Sequence, residues 1–240
     1  DRIVEVEAAP SRTDHALWSA LSDAGLLTMA LPEHAGGDGM GLAGLAVVLI
    51  EQGRVLAPVP LWSSVIAAYA VAQHGSPAAV SALAGGGPGA GSGRIALALE
   101  EFGGMTSQPR CAATQSGESW ILTGEKAAVP TPEGASHILV SATDGQESGL
   151  FLVRKDAPGV LWDRAETTSR DWAGNLRLES VAAQRIGGSE ALTWTLRAAA
   201  CALAALQLGI GEGALALTAG YLKDRQQFGR PLGSFQAVQH

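Results

Sequence analysis

The sequence predicts a multidomain α and β protein: an all-helical N-terminal domain, a small β-barrel middle domain, and a return to helix at the C-terminal end. Three observations carry this. Apolar residues follow a helical period up to the glycine-rich stretch 85–93, they follow a period of two after it, and from Ser189 the helical period returns over a long stretch poor in charge. The boundaries therefore fall at 1–93, 94–186 and 187–240, and 240 residues suffice for two to three small domains.

In order, residues 1–12 are weakly patterned. Ser11, Thr13 and Asp14 offer caps to a helix that runs through Leu17, Trp18, Leu21 and Leu26, with Gly25 near its end. A glycine-rich loop follows over 31–39. A second helix spans 42–57 on Leu45, Val48, Leu49 and Leu56, and Pro58 and Pro60 stop it. The stretches 61–74 and 77–83 give two more helices. Between Val55 and Gly93 there is no Asp, Glu, Lys or Arg, yet Pro and Gly interrupt too often for a membrane span, so the segment packs against other protein. The stretch 85–93 lacks the Lys-Ser/Thr pair of a phosphate-binding loop and no strand precedes it, so it reads as a flexible linker.

After it, 95–101, 110–114, 120–123, 137–141, 149–154, 160–163 and 176–178 read as short strands, with turns at Ser116-Gly117 and Thr123-Gly124. Short strands without intervening helices imply a barrel or a sandwich. The last helix runs over 189–222.

Composition narrows the function. Hydrophobic residues make up 47%, enough for a real core, and the formal net charge of −7 with no basic run argues against nucleic acid. Cys111 and Cys201 have no His or Cys at metal spacing and read as buried free thiols in a reducing cytoplasm. The opening Asp1-Arg-Ile-Val-Glu shows no secretory pattern, so a cytoplasmic location is expected. The uncharged stretch 198–211, bounded by Arg197 and Glu212, is too short for a membrane span and is expected to be buried on most sides within a bundle.

The most specific signal is the end of the chain, Tyr221-Leu-Lys-Asp-Arg-Gln-Gln-Phe-Gly-Arg-Pro-Leu-Gly-Ser-Phe-Gln236. It reads as a helix, a short connection broken by Pro231 and Gly233, and a new helix capped by Ser234. One reading is an ordinary helix end, with Arg225 offsetting the dipole and Phe228 in the core. The full spacing Tyr-x-x-x-Arg-x-Gln-Phe-Gly-x-x-Leu-x-x-Phe-Gln, however, resembles the acyl-CoA dehydrogenase family. The segment Leu31-Pro-Glu-His-Ala-Gly-Gly-Asp-Gly39 and the order helices, strands, helices resemble it too.

That resemblance implies an acyl-CoA dehydrogenase-like fold whose last domain is the start of a C-terminal four-helix bundle, C-terminally incomplete here as in a fragment or a truncated protein. It implies FAD as cofactor, an acyl-CoA substrate and electron-transfer flavoprotein as electron acceptor. A homodimer or homotetramer is expected, or a heterotetramer with a second acyl-CoA dehydrogenase subunit. By resemblance Arg225, Gln227, Phe228 and Gln236 contact FAD bound mainly by a neighbouring subunit. In the barrel, Gly103 belongs to Glu100-Glu-Phe-Gly-Gly-Met-Thr106, where the family has Thr-Glu-x-Gly-x-Gly-Ser. Leu122-Thr-Gly-Glu-Lys126 matches a family hairpin, after which Trp-Ile-Thr becomes Ala128-Val129-Pro130. Ala cannot cover a flavin ring as Trp does, and Pro has neither hydroxyl nor N–H. Val129 could still pack against the ring and donate its N–H.

The family's chemistry takes a proton from the α carbon and a hydride from the β carbon, and needs a carboxylate base. Counting back from Tyr221 to the family's early base position lands in 198–202, which holds no carboxylate. Glu190 and Glu212 lie on either side, and Glu212 reads as a solvated or paired surface residue, so no base is assigned. Three functions stay open: a homo-oligomeric dehydrogenase whose base lies beyond residue 240, a partner subunit completing a neighbour's FAD site, or a flavin-dependent monooxygenase or non-catalytic scaffold on the same fold.

Overall fold

The computed structural model describes residues 2–84 and 94–239; the stretch read as a linker lies outside the described residues. Among the described residues, five helices come first: α1 (Arg2–Ala8), α2 (His15–Asp23), α3 (Gly41–Arg54), α4 (Leu61–His74) and α5 (Pro77–Ala84). Seven strands follow: β1 (Arg94–Ala98), β2 (Ala112–Ser116), β3 (Ser119–Pro130), β4 (Ala135–Thr143), β5 (Ser148–Arg154), β6 (Val160–Glu166) and β7 (Trp172–Gly187). The 36-residue α6 (Ser189–Asp224) leads into a small hairpin, β8 (Gln226–Gln227) and β9 (Arg230–Pro231), and then into α7 (Gln236–Gln239).

The stretch that looked weakly patterned contains α1, which buries none of its residues and so needs no apolar stripe. Asp14 starts α2 by accepting the Leu17 N–H at 2.9 Å, and Arg2 forks onto the same carboxylate. α3 ends at Arg54, short of the expected 57 and before Pro58 and Pro60, with Leu56 left-handed and exposed; α4 beyond the prolines is buried on nearly every side.

The strands close on themselves. β4 pairs with β2, β2 with β3, β3 with β7, β7 with β5, and β5 with β4 again, while β1 lies parallel on β4 and β6 antiparallel on β7. β1, β4 and β5 are apolar without alternation because both of their faces are covered. Ile95, Leu97, Leu139, Leu150 and Leu152 join the core made with α3, α4 and α6, whereas Ala96, Ala98, Ile138, Val140, Phe151 and Val153 fill the barrel.

Several expectations are corrected. β3 and β7 are far longer than the short runs read from the sequence, because register shifts at Leu122/Gly124 and Lys126/Val129 interrupt the alternation. Thr123-Gly124 is therefore mid-strand and not a turn; a Cβ on Gly124 would lie 2.8 Å from Cys111 Cα. Cys111 is buried, but Cys201 is exposed.

The stretch 198–211 proves to be part of a helix long and apolar enough, by length and composition, to cross a membrane. That helix is not buried on most sides. One stripe, with Leu192, Thr195, Ala199, Ala202, Ala205, Gly209 and Gly213, is buried, and Leu208, Leu215 and Leu217 on other sides stay exposed. Glycines bring α6 and α3 into backbone contact: a Cβ on Gly53 would collide with Leu206 O, and one on Gly209 with Ile50 O.

Candidate functional site

The C-terminal corner is built by the end of α6. Arg225 N–H still bonds Tyr221 O at 2.8 Å, its own carbonyl accepts from Leu232 N–H at 2.8 Å, and between these two bonds the chain folds into the β8–β9 hairpin. Phe228 (φ 53°) and Gly229 (φ 76°) are both left-handed, as a two-residue hairpin turn requires. Glycine suits this conformation; a bulky aromatic residue does not, and such strain collects where a side chain is being presented for use. Phe228 is 91% exposed, which rules out the core placement. Its ring meets Phe235 edge-on at 6.2 Å, and the Arg230 guanidinium covers Phe235 at 4.0 Å.

Arg225, Gln227 and Gln236 are exposed as well, and among the described residues Arg225 makes no ion pair. The corner thus gathers an exposed cation, amides and a flat ring. Ser234 does not cap the next helix: its hydroxyl donates to Pro231 O at 2.7 Å, and Phe235 is the residue before α7.

A second feature is a cleft of about 440 Å³ between the helices and the barrel, with Trp62 of α4, Leu206 and Ile210 of α6, Trp172 of β7, and Ala128 and Pro130 of β3 on its walls. Val129, between those two, turns into the barrel core and is 1% exposed, so its side chain meets no ligand in the cleft. Ala128 N–H is already engaged, donating to Asn175 Oδ1 at 3.0 Å, and Pro130 has no N–H to give. The wall that by resemblance would support this chain's own flavin ring therefore offers neither a cover nor a donor from Ala128 or Pro130.

The carboxylates lining the cleft, Glu7 and Asp171, are engaged too: Glu7 pairs with Arg170 at 3.7 Å and Asp171 accepts from Ser169 at 3.0 Å. Glu212 pairs with Arg54 of α3 at 2.7 Å, and Glu190 lies in the first turn of α6. None of these is a free base in the cleft.

Gly103 stands apart from both features, in a tight loop after β1 with φ 63° and open space where a Cβ would be. Its neighbour Phe102 walls a cavity of about 450 Å³ together with Lys126, Trp162, Asn175 and Arg177. Behind that loop lies a group that the sequence did not flag. Lys126 is fully buried, and its ammonium donates to Glu101 Oε1 at 2.6 Å and to Ser141 Oγ at 2.9 Å. Burial pushes Lys126 below its ordinary pKa against the pull of Glu101. Burial would raise Glu101, but Lys126 and the N–H groups of Arg110 and Cys111 outweigh it and hold the carboxyl low. Burial drives the Cys111 thiol up to about 11, so it is unreactive. The available signal for Lys126 was its inward position in β3. Among the described residues no cluster of three His, Cys, Asp or Glu is placed to hold a metal.

Comparison with known proteins gives the geometry a context. The chain is 39% identical over 238 residues to the acyl-CoA dehydrogenase FadE27 of Mycobacterium tuberculosis, covering 98% of this chain and 63% of that protein. A solved variant of the Tcur3481-Tcur3483 steroid ACAD superposes with a TM-score of 0.95 at 55% identity, covering all of this chain and 66% of that one. The ChsE4-ChsE5 complex of M. tuberculosis gives 0.89 at 35% identity, over 98% of this chain and 65% of that one. The chain thus spans less than two thirds of the length of these relatives. Residues 1–83 match the model of the acyl-CoA dehydrogenase N-terminal domain and residues 187–240 that of its C-terminal domain. With more than half of its length so matched, and with the corner and the barrel arranged as described, the chain belongs to the acyl-CoA dehydrogenase family.

Proposed function

We propose that this chain is a subunit of an FAD-dependent acyl-CoA dehydrogenase, and that its corner completes a flavin site held mainly by another subunit. The reaction is α,β-dehydrogenation of an acyl-CoA thioester, with a proton lost from the α carbon and a hydride from the β carbon. FAD, when bound, supplies the hydride acceptor at N5, and electron-transfer flavoprotein is the onward electron acceptor. One observation carries the reading: Arg225, Gln227, Phe228 and Gln236 are exposed and Arg225 makes no ion pair among the described residues, while Ala128, Val129 and Pro130 leave this chain's own ring wall without cover. The Arg225 guanidinium suits a pyrophosphate, the Phe228 face suits a flat ring, and the two amides suit polar edges of the same cofactor.

Two unlike subunits are favoured over a homo-oligomer. The weak ring wall supports this, and so do two of the similar structures, one described as a ChsE4-ChsE5 complex and the other under the paired name Tcur3481-Tcur3483. The base for the α proton is not among the carboxylates lining this cleft, which are already engaged.

The test is the visible absorbance of the full-length protein, purified alone and together with candidate acyl-CoA dehydrogenase partners. Flavin in the mixture and none in the protein alone is the expected result. One flavin per chain in the protein alone would restore the homo-oligomeric reading. No flavin with any partner would leave a scaffold.

A further inference from the structure

The loop between Glu101 and Arg110 is closed by the Glu101 carboxylate and by the Arg110 guanidinium, which donates to Phe102 O. Glu101 Oε2 accepts Arg110 N–H at 2.8 Å and Oε1 accepts Cys111 N–H at 3.0 Å, so the side chain at the start of the loop binds the backbone at its end. The loop itself is exposed: Phe102 is 59% and Met105 66% accessible, and nothing crowds Gly103. Beyond the Arg110–Phe102 bond and the Met105–Gln108 bridge, its placement depends on what holds Glu101.

That holder is Lys126. Its ammonium is buried, bound to Glu101 Oε1 at 2.6 Å and to Ser141 Oγ at 2.9 Å, and Ser141 in turn donates to Leu99 O at 3.2 Å. The network reaches from β4 through β3 to both ends of the loop. A buried ion pair seldom adds net stability over apolar groups of the same volume, so its physical use here is to fix geometry. Lys126 itself lines the 450 Å³ cavity that Phe102 walls.

We infer that Lys126 is a positioning residue: acting through Glu101, it sets the 102–109 loop, and with it Gly103 and the Phe102 wall of the cavity. The link from that loop to a flavin rests on the function proposed above; the link from Lys126 to the loop does not.

The experiment uses the full-length protein carrying Lys126→Met together with Glu101→Gln, which removes both charges and keeps the volume. Amide hydrogen exchange is followed over 102–111, melting is followed in parallel, and flavin affinity is measured in the assembled oligomer. The expected result is a melting temperature close to wild type, at least tenfold faster exchange confined to 102–111, and flavin bound at least tenfold more weakly. Faster loop exchange with flavin affinity unchanged would still establish the positioning role, and would count against the flavin assignment of the loop alone. Unchanged loop exchange would overturn the inference whatever the flavin does. Should the double variant fail to fold, Ser141→Ala removes one acceptor of the ammonium and keeps the pair; about threefold faster loop exchange is then expected, and no change overturns the inference.

Discussion

At the scale of single residues, two charged groups take opposite parts. Arg225 is exposed at a helix end with its guanidinium unpaired among the described residues, so it supports little of the fold. Arg225→Ala is expected to leave melting nearly unchanged and to weaken flavin binding in the assembled oligomer by about 1.5–3 kcal/mol, the range for a charge-assisted bond. Flavin titration and thermal melting of both proteins check this, and equal flavin affinity would remove the corner's claim on the cofactor.

Asp14 works inside the fold. Its hydrogen bond to Arg2 and the Leu17 N–H bring its pKa from 3.8 down to about 2. A folded pKa below the unfolded one means that the contribution is complete above pH 3.8 and is lost as pH falls toward about 2. Asp14→Ala should cost about 1 kcal/mol near neutral pH, as loss of an N-cap does, and should flatten the acid limb of the stability curve in that window. Denaturant unfolding across the acid range measures both.

At the scale of elements, the crossing of α3 and α6 is set by glycine. Gly209 sits against Ile50 O, so Gly209→Ala forces the helices apart and should destabilise the protein by about 1–3 kcal/mol. Two residues on, nothing lies within 4 Å of a Cβ on Gly211. There the same change should stabilise by about 0.5–1 kcal/mol, because alanine loses less backbone entropy in a helix. Opposite signs in chemical denaturation are the expected outcome; equal signs would show that the two helices do not meet through these residues. The sequence showed both glycines in one helical run and could not tell them apart, since only the partner backbone distinguishes them.

For the whole molecule, the governing fact is that α6 is uncovered away from its buried stripe, with Leu215 and Leu217 70% and 78% exposed on different sides of the helix. Covering one such leucine stabilises by about 1.5–3 kcal/mol, so these side chains call for further protein to cover them. The full-length protein is expected to sediment as a dimer or larger, and Leu215→Lys with Leu217→Lys to shift it to smaller species without lowering the helix content. Unchanged sedimentation would show that other surfaces build the assembly.

Some of this was written in the sequence by itself. The change of period around 85–93 and 189 marks helices, strands and helix, because the spacing of apolar residues must match the geometry of each element. The spacing from Tyr221 to Gln236 pointed to the family, because a motif of that length carries particular residue types at fixed intervals through one corner. Tertiary structure decided what depends on a partner element. Val129 faces the barrel and not the cleft because bulges shift the register of β3. Phe228 stands in water because it sits at the tip of the β8–β9 hairpin. Lys126 is a buried anchor because Glu101, 25 positions away in the chain, is brought to 2.6 Å from it. Local pattern fixes which element forms; which side chain an element shows to its neighbour is settled only when the neighbour is in place.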